Sequence, residues 1–274
     1  MFLKKTYFIA ASLVIISVFL VFANWRTEMA IIFFPIDYES KFSYVSTQLV
    51  ALDDLTTVDW TSTSESESKN YLRQDVSLLF VNGKLAGIQN KWMQNESLIE
   101  QTKRTEINTN ALLQAISFHH GEIHEQDMVK SIQAMSTDYL YIINQDAFHT
   151  PKTAKEKRES EKLENQIERK LTKNWEHLLR SFNIDEDQYL LYPFIDIPQL
   201  ALDLSELTSQ KESDRIIGQL WEGLYKNYIL QAIELTSNDY MPLILLAKDR
   251  SHLYVLYEMN EEKQQLIQQL SLDD

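Results

Sequence analysis

Apolar positions along the chain fall into three regimes. The first is an unbroken run, Thr6–Trp25, 20 residues without Asp, Glu, Lys, Arg or His. A helix of that length rises about 30 Å, the thickness of a bilayer's hydrocarbon core. The run predicts a transmembrane anchor behind a short tail, residues 1–5. Lys4 and Lys5 precede it without an acidic neighbour, whereas Arg26 is followed by Glu28, Asp37 and Glu39. Positive charge stays cytoplasmic, so the expected topology is single-pass, amino end inside and the rest of the chain extracytoplasmic. The same run also fits a cleaved signal peptide cut after Val21-Phe22-Ala23, which would release a secreted protein. Against that, it is longer than the usual h-region of about 7–15 residues. Residues 26–42 then form a juxtamembrane segment, read either as lying in the headgroup region or as a first strand of the fold.

The second regime, 43–149, reads as β-rich. Ser43–Leu55 fits a short helix or a strand. Val76–Val81 and Lys84–Trp92 flank Asn82-Gly83, the preferred pair for a type I′ hairpin turn, and Gly87 suggests a bulge. Ser97–Ile107 and Leu112–Phe118 predict two further strands of an antiparallel meander. The stretch Thr61–Ser68 is entirely Ser, Thr and Glu and reads as a solvated loop. Asp127–Asn144 is expected to begin helical and to become a strand at Tyr139–Ile143.

The third regime, 150–274, is helical. Thr153 and Glu156 make a capping box, and Leu163, Ile167, Leu171, Trp175, Leu178 and Phe182 recur every three or four residues. Asn183–Leu207, with Pro193 and Pro198, is expected to be irregular and aromatic. Ser209 and Glu212 make a second capping box, opening a broad-faced core helix to about Leu235. Leu243–Ala247 and His252–Tyr257 predict a buried hairpin. Asn260 is expected to cap a final helix that turns Leu266, Ile267 and Leu270 inward. The fold class is therefore α+β: an anchor, an antiparallel β-rich half, and a helical half ending in a β-hairpin and a helix.

Composition narrows the function. Hydrophobic residues are 44% and charged residues 24%, a globular balance rather than a disordered one. The chain has no Cys, which removes disulfides, thiol nucleophiles and Cys-ligated metals. Its formal net charge is −14, and setting aside Lys4, Lys5 and Arg26 leaves 23 basic against 40 acidic residues. Such a surface repels phosphate backbones, so no nucleic-acid partner is expected. Five glycines in 274 residues, and none of the Gly-rich phosphate-binding motifs, argue against nucleotide cofactors; no cofactor is expected.

One cluster invites chemistry: Phe118-His119-His120-Gly121-Glu122-Ile123-His124-Glu125. In a strand His120, Glu122 and His124 share a face, and two imidazoles with a carboxylate can hold zinc or iron with open positions. A turn at Gly121 would scatter them. Asp196 is a lone candidate carboxylate. The leading expectation is a membrane-anchored, non-enzymatic interaction or assembly factor of a bacterial cell envelope, with a protein partner there. The alternatives are an envelope hydrolase using His119–His124 or Asp196, and a metal- or small-ligand-binding module.

Overall fold

A computed structural model describes residues 31–53, 55–107, 110–125, 128–235 and 238–270. The tail, the anchor candidate Thr6–Trp25 and the first residues of the juxtamembrane segment lie outside these.

The first half is an antiparallel sheet rolled into a nearly closed barrel. Its strands are β1 (Phe42–Ala51), β2 (Thr57–Val81), β3 (Lys84–Glu106), β4 (Ala111–Glu125), β5 (Met128–Ile143) and the short β6 (Asp146–Phe148). They follow the order β1-β2-β4-β5-β6, with β3 paired to β2. Asn82 and Gly83 both take positive φ, +52° and +77°, as the expected turn requires. The register slips between Leu79 and Phe80, opposite Gly87 and Leu85, so a bulge stands where Gly87 suggested one. A second slip, between Glu65 and Asn70, bends β2. Its first half pairs with β1 and its second half with β4, which is how one strand serves two walls. The roll closes where β5 meets β1. There the Thr47 hydroxyl donates to the Ser136 carbonyl at 3.1 Å, and the Leu49 N–H donates to the Asp138 carboxylate at 2.7 Å.

Three expectations fail in this half. Ser97–Ile107 is not a further strand of a meander: Ser97–Glu106 continues β3 beyond Trp92, and β4 pairs with β2, not with β3. Thr61–Ser68 is not a loop: it lies in β2, with Ser62, Ser64 and Ser66 buried. A hydroxyl can be buried when protein groups supply its hydrogen bonds: Ser64 donates to Asp75 at 2.5 Å and Ser66 to Asn70 at 2.7 Å, both farther along β2, whereas the Ser62 hydroxyl has no partner. The segment from Met128 is not helical; β5 runs unbroken to Ile143 and pairs with β4 along its whole length. Ser43–Leu55, read as helix or strand, supplies β1.

The second half begins with α1 (Ala154–Ser181). Thr153 accepts from the Glu156 N–H and the Glu156 carboxylate accepts from the Thr153 N–H, the complete capping box. Ile167, Leu171 and Leu178 are buried as the periodicity demands. Asn183–Leu207 is more regular than expected. It holds β7 (Tyr189–Pro193) between two 3-10 turns, and then α2 (Ile197–Leu207), with Pro198 in the first turn, where its missing N–H costs nothing. Next comes α3 (Gln210–Leu224), which continues through a π turn, Tyr225–Ile229, into α4 (Leu230–Leu235). Finally β8 (Leu243–Ala247), β9 (His252–Met259) and β10 (Glu262–Gln269) join β7 in a four-stranded antiparallel sheet, order β10-β9-β8-β7. The predicted final helix is therefore wrong. Asn260 and Glu261 take φ of +53° and +68° and form a turn, not a cap. The edge of β9 offers a row of backbone partners, and those override the helical preference of Glu-Glu-Lys-Gln-Gln.

The α+β class stands. The two halves share a core: Phe118 stacks on Trp221 at 4.8 Å between ring centroids, and Phe80 packs on Phe194 at 5.8 Å. Residues 31–38 join it as a strap. Asp37 N–H donates to the Ser131 carbonyl at 2.8 Å, Ser131 N–H to the Pro35 carbonyl at 3.0 Å, and Phe33 N–H to the Glu222 carboxylate at 2.8 Å. Of the two readings of the juxtamembrane segment, the described part enters the fold.

Candidate functional site

The histidine cluster lies on β4, which passes straight through Gly121. Gly121 does not break the strand. Its missing Cβ leaves room for the Arg73 side chain, whose Cδ would stand 3.2 Å away. Alternation does place His120, Glu122 and His124 on one face, but the structure brings only two of them together. His124 Nε2 lies 3.2 Å from Glu122, and its ring stacks on Tyr71 at 3.8 Å. His120 is buried and turns to Ser131, Nε2 to Oγ 3.2 Å. Its Nδ1 has no hydrogen-bond partner. Burial pulls its pKa down from 6.5 to about 4; Asp75 opposes that, Arg73 reinforces it and Glu222 opposes it. At neutral pH it is an uncharged core residue. Among the described residues no three His, Asp or Glu side chains converge on a metal position.

Asp196 borders an open cavity of about 350 Å³ with Tyr139, Tyr141, Glu164 and Asp138. Burial raises its pKa. The Tyr141 hydroxyl is tied to Glu164 by a short hydrogen bond.

What the sequence reading missed is the barrel's interior. One end is apolar: Leu49, Val58, Trp60, Leu79, Leu113 and Leu140. The other end is a polar network. Arg73 and Asp75 are side by side on the inner face of β2, and His119 faces Asp75 from β4. All three are fully buried. Arg73 donates to the Ser66 hydroxyl at 3.0 Å and to the Ser97 carbonyl, makes a short bond to Ser64, and sits 3.7 Å from Asp75. Phe42 covers the guanidinium at 4.7 Å. Asp75 Oδ2 accepts from Ser64 at 2.5 Å and lies 2.7 Å from His119 Nδ1. His119 Nε2 lies 2.8 Å from the Ser136 hydroxyl. Hydroxyl contacts continue from Ser136 to Thr47 (2.6 Å), Ser117 (2.6 Å) and Ser77 (2.7 Å), and the Trp60 indole N–H donates to Ser77 at 3.1 Å.

The order Asp75–His119–Ser136 has the contact distances of a catalytic triad. Its surroundings are those of a structural clamp. His119 and Asp75 have no exposed surface, and the Ser136 hydroxyl is shared with Thr47 in the barrel seam. The clamp joins β1, β2, β4 and β5, and Arg73 extends it to β3 through the Ser97 carbonyl. The sequence carries little signal for it: Thr61–Ser68 is polar at every position, and Gln74 stands between Arg73 and Asp75, so no alternation of polar and apolar residues marks the inner face.

A cavity of about 990 Å³ lies on the outside, between the 31–38 strap and the start of α3. Phe33, Pro35, Ile36 and Leu207 give it an apolar wall. Lys211, Arg215 and Arg250 give it positive charge; among the described residues Glu212 is the acidic one in its lining, and the lining's Tyr38 hydroxyl donates to Asp214 at 3.2 Å. Ser209 caps α3 by accepting from the Glu212 N–H at 3.2 Å. Glu212 does not complete the predicted box; its carboxylate binds Arg215, which holds it below the usual carboxylate range. Arg250 donates to the Leu207 carbonyl at 3.3 Å. Lys211 is exposed and has no hydrogen-bond or ion-pair partner among the described residues.

No protein-family model, no curated protein and no solved structure matches this chain.

Proposed function

We propose that this is a single-pass, membrane-anchored extracytoplasmic protein that acts by binding, in the envelope of a bacterial cell, and not by catalysis. The observation that carries the non-enzymatic part is the burial of its best reactive geometry. Asp75, His119 and Ser136 hold the barrel walls together, and a substrate would have to break that seam to reach them. The outer surface, by contrast, offers features suited to recognition. Trp92, Leu98 and Tyr71 are about half exposed on the barrel, and the cavity of about 990 Å³ beside the strap is open. An envelope protein is the partner we assign to the barrel surface. The anchor part rests on the charge-free run Thr6–Trp25; among the described residues no helix is long and apolar enough to cross a membrane.

Two measurements test the proposal. Protease added to intact protoplasts should remove the carboxyl-terminal domain; protection until lysis would overturn the placement. A fluorophosphonate probe should leave the full-length protein unlabelled. Labelling of Ser136, abolished by Ser136→Ala, would establish the hydrolase alternative instead.

A further inference from the structure

The cavity between the strap and α3 has the chemistry of an amphiphile's binding site. One side is apolar, formed by Phe33, Pro35, Ile36 and Leu207. The other carries Lys211, Arg215 and Arg250 beside the Ser209-capped first turn of a 15-residue helix, whose dipole adds positive potential. Arg215 is neutralised by Glu212, but Lys211 has no acidic partner among the described residues and Arg250 is spent only on a carbonyl. This local excess of positive charge stands on a chain of net charge −14. A ligand must therefore offer both a compact anion and hydrocarbon. The volume, about 990 Å³, is at the upper end of the range for small-molecule sites, roughly 300–1,000 Å³.

The apolar wall is also the part of the fold that follows the candidate anchor most closely in sequence. Five residues separate Trp25 from Ile31. Even fully extended they span only about 20 Å. We propose that this cavity binds an acidic glycerophospholipid of the surrounding bilayer: the phosphate between Lys211, Arg250 and the start of α3, and the upper acyl region against Phe33, Ile36 and Leu207. The choice of a bilayer lipid over a soluble amphiphile rests on the anchor reading; the pairing of anion and hydrocarbon rests on the cavity alone.

The test uses the full-length chain in detergent and native mass spectrometry, with phosphatidylglycerol or phosphatidylcholine added at equal concentration. One phosphatidylglycerol per chain should be retained, about tenfold more tightly than phosphatidylcholine. Lys211→Glu with Arg250→Glu should erase that preference, while Lys155→Glu with Arg158→Glu, on exposed α1, should leave it intact. If the reversal variant loses its melting transition, Lys211→Gln with Arg250→Gln replaces it, and the preference should then fall by about threefold or more. Leu207→Ser should weaken lipid retention without restoring phosphatidylcholine. Equal retention of the two lipids, or a preference indifferent to Lys211 and Arg250, would overturn the proposal. Competition by glycerol 3-phosphate as effective as that by the lipid would reassign the cavity to a soluble phosphate. These outcomes are read in detergent, so they stand apart from protoplast shaving: a failed anchor leaves lipid binding measurable, and a failed lipid site leaves the topology untouched.

Discussion

At the residue scale, burial sets the chemistry. Arg73 and Asp75 are an ion pair at 3.7 Å without exposed surface, and each is further held by hydroxyls. Removing one partner strands the other's charge. Arg73→Leu should cost about 3–5 kcal/mol in urea unfolding, and Arg73→Leu with Asp75→Leu should cost less than the two single changes together. Additive single effects would show that the pair is not coupled. His120 gives a pH dependence of definite sign. Its folded pKa, about 4, lies below the unfolded 6.5. Between those values the unfolded chain takes up the proton and the native state does not. Its contribution is therefore complete above pH 6.5 and is lost as pH falls through 4, a loss of about 3 kcal/mol. His120→Gln should flatten this part of the stability profile; an unchanged difference between pH 7.5 and pH 4.5 would refute it.

At the element scale, α3 shows how two glycines in one helix come to differ. A Cβ at Gly218 would overlap the Phe33 ring and stand 2.7 Å from Gln133 Oε1, whereas a Cβ at Gly223 would meet nothing within 4 Å. Alanine is the better helix residue by about 1 kcal/mol. Gly223→Ala should accordingly raise stability by about 0.5–1 kcal/mol. Gly218→Ala should lower it by about 1–3 kcal/mol through overpacking, and Phe33→Ala in the same chain should recover part of the loss. Thermal unfolding of the three variants decides this. The strap also explains why an apolar stretch, Ile31–Phe34, ends at Pro35 without forming a helix: its backbone bonds go to Ser131 and Glu222, both far away in the chain.

At the scale of the whole molecule, the barrel is completed by side chains as well as by ladders. Leu49 N–H donates to the Asp138 carboxylate, and Thr47 reaches the Ser136 carbonyl, where β1 and β5 meet. Asp138→Ala should open this seam: the Leu49 amide should exchange with solvent far faster, while amides in the β8–β9 hairpin keep their protection. Equal acceleration in both places would mean that the seam and the C-terminal sheet open as one unit.

Local order was legible in the sequence. The capping box at Thr153 and Glu156, the apolar face of α1, the Asn82-Gly83 turn and the β8–β9 hairpin each depend on neighbours within a few positions, so spacing alone specifies them. The charge-free run Thr6–Trp25 is likewise a local property. Non-local pairing was not legible. The Ser-rich part of β2, the first half of β5 and all of β10 have weak or contrary local preference, and each becomes a strand because a partner edge is present. The candidate site divided the same way: alternation put His120, Glu122 and His124 on one face, but whether they meet was decided by what packs against that face. The Arg73–Asp75–His119 clamp and the cavity beside the strap draw residues from positions about 45 to more than 200 apart, and only the closed barrel and the docked helices bring those within hydrogen-bonding or binding distance.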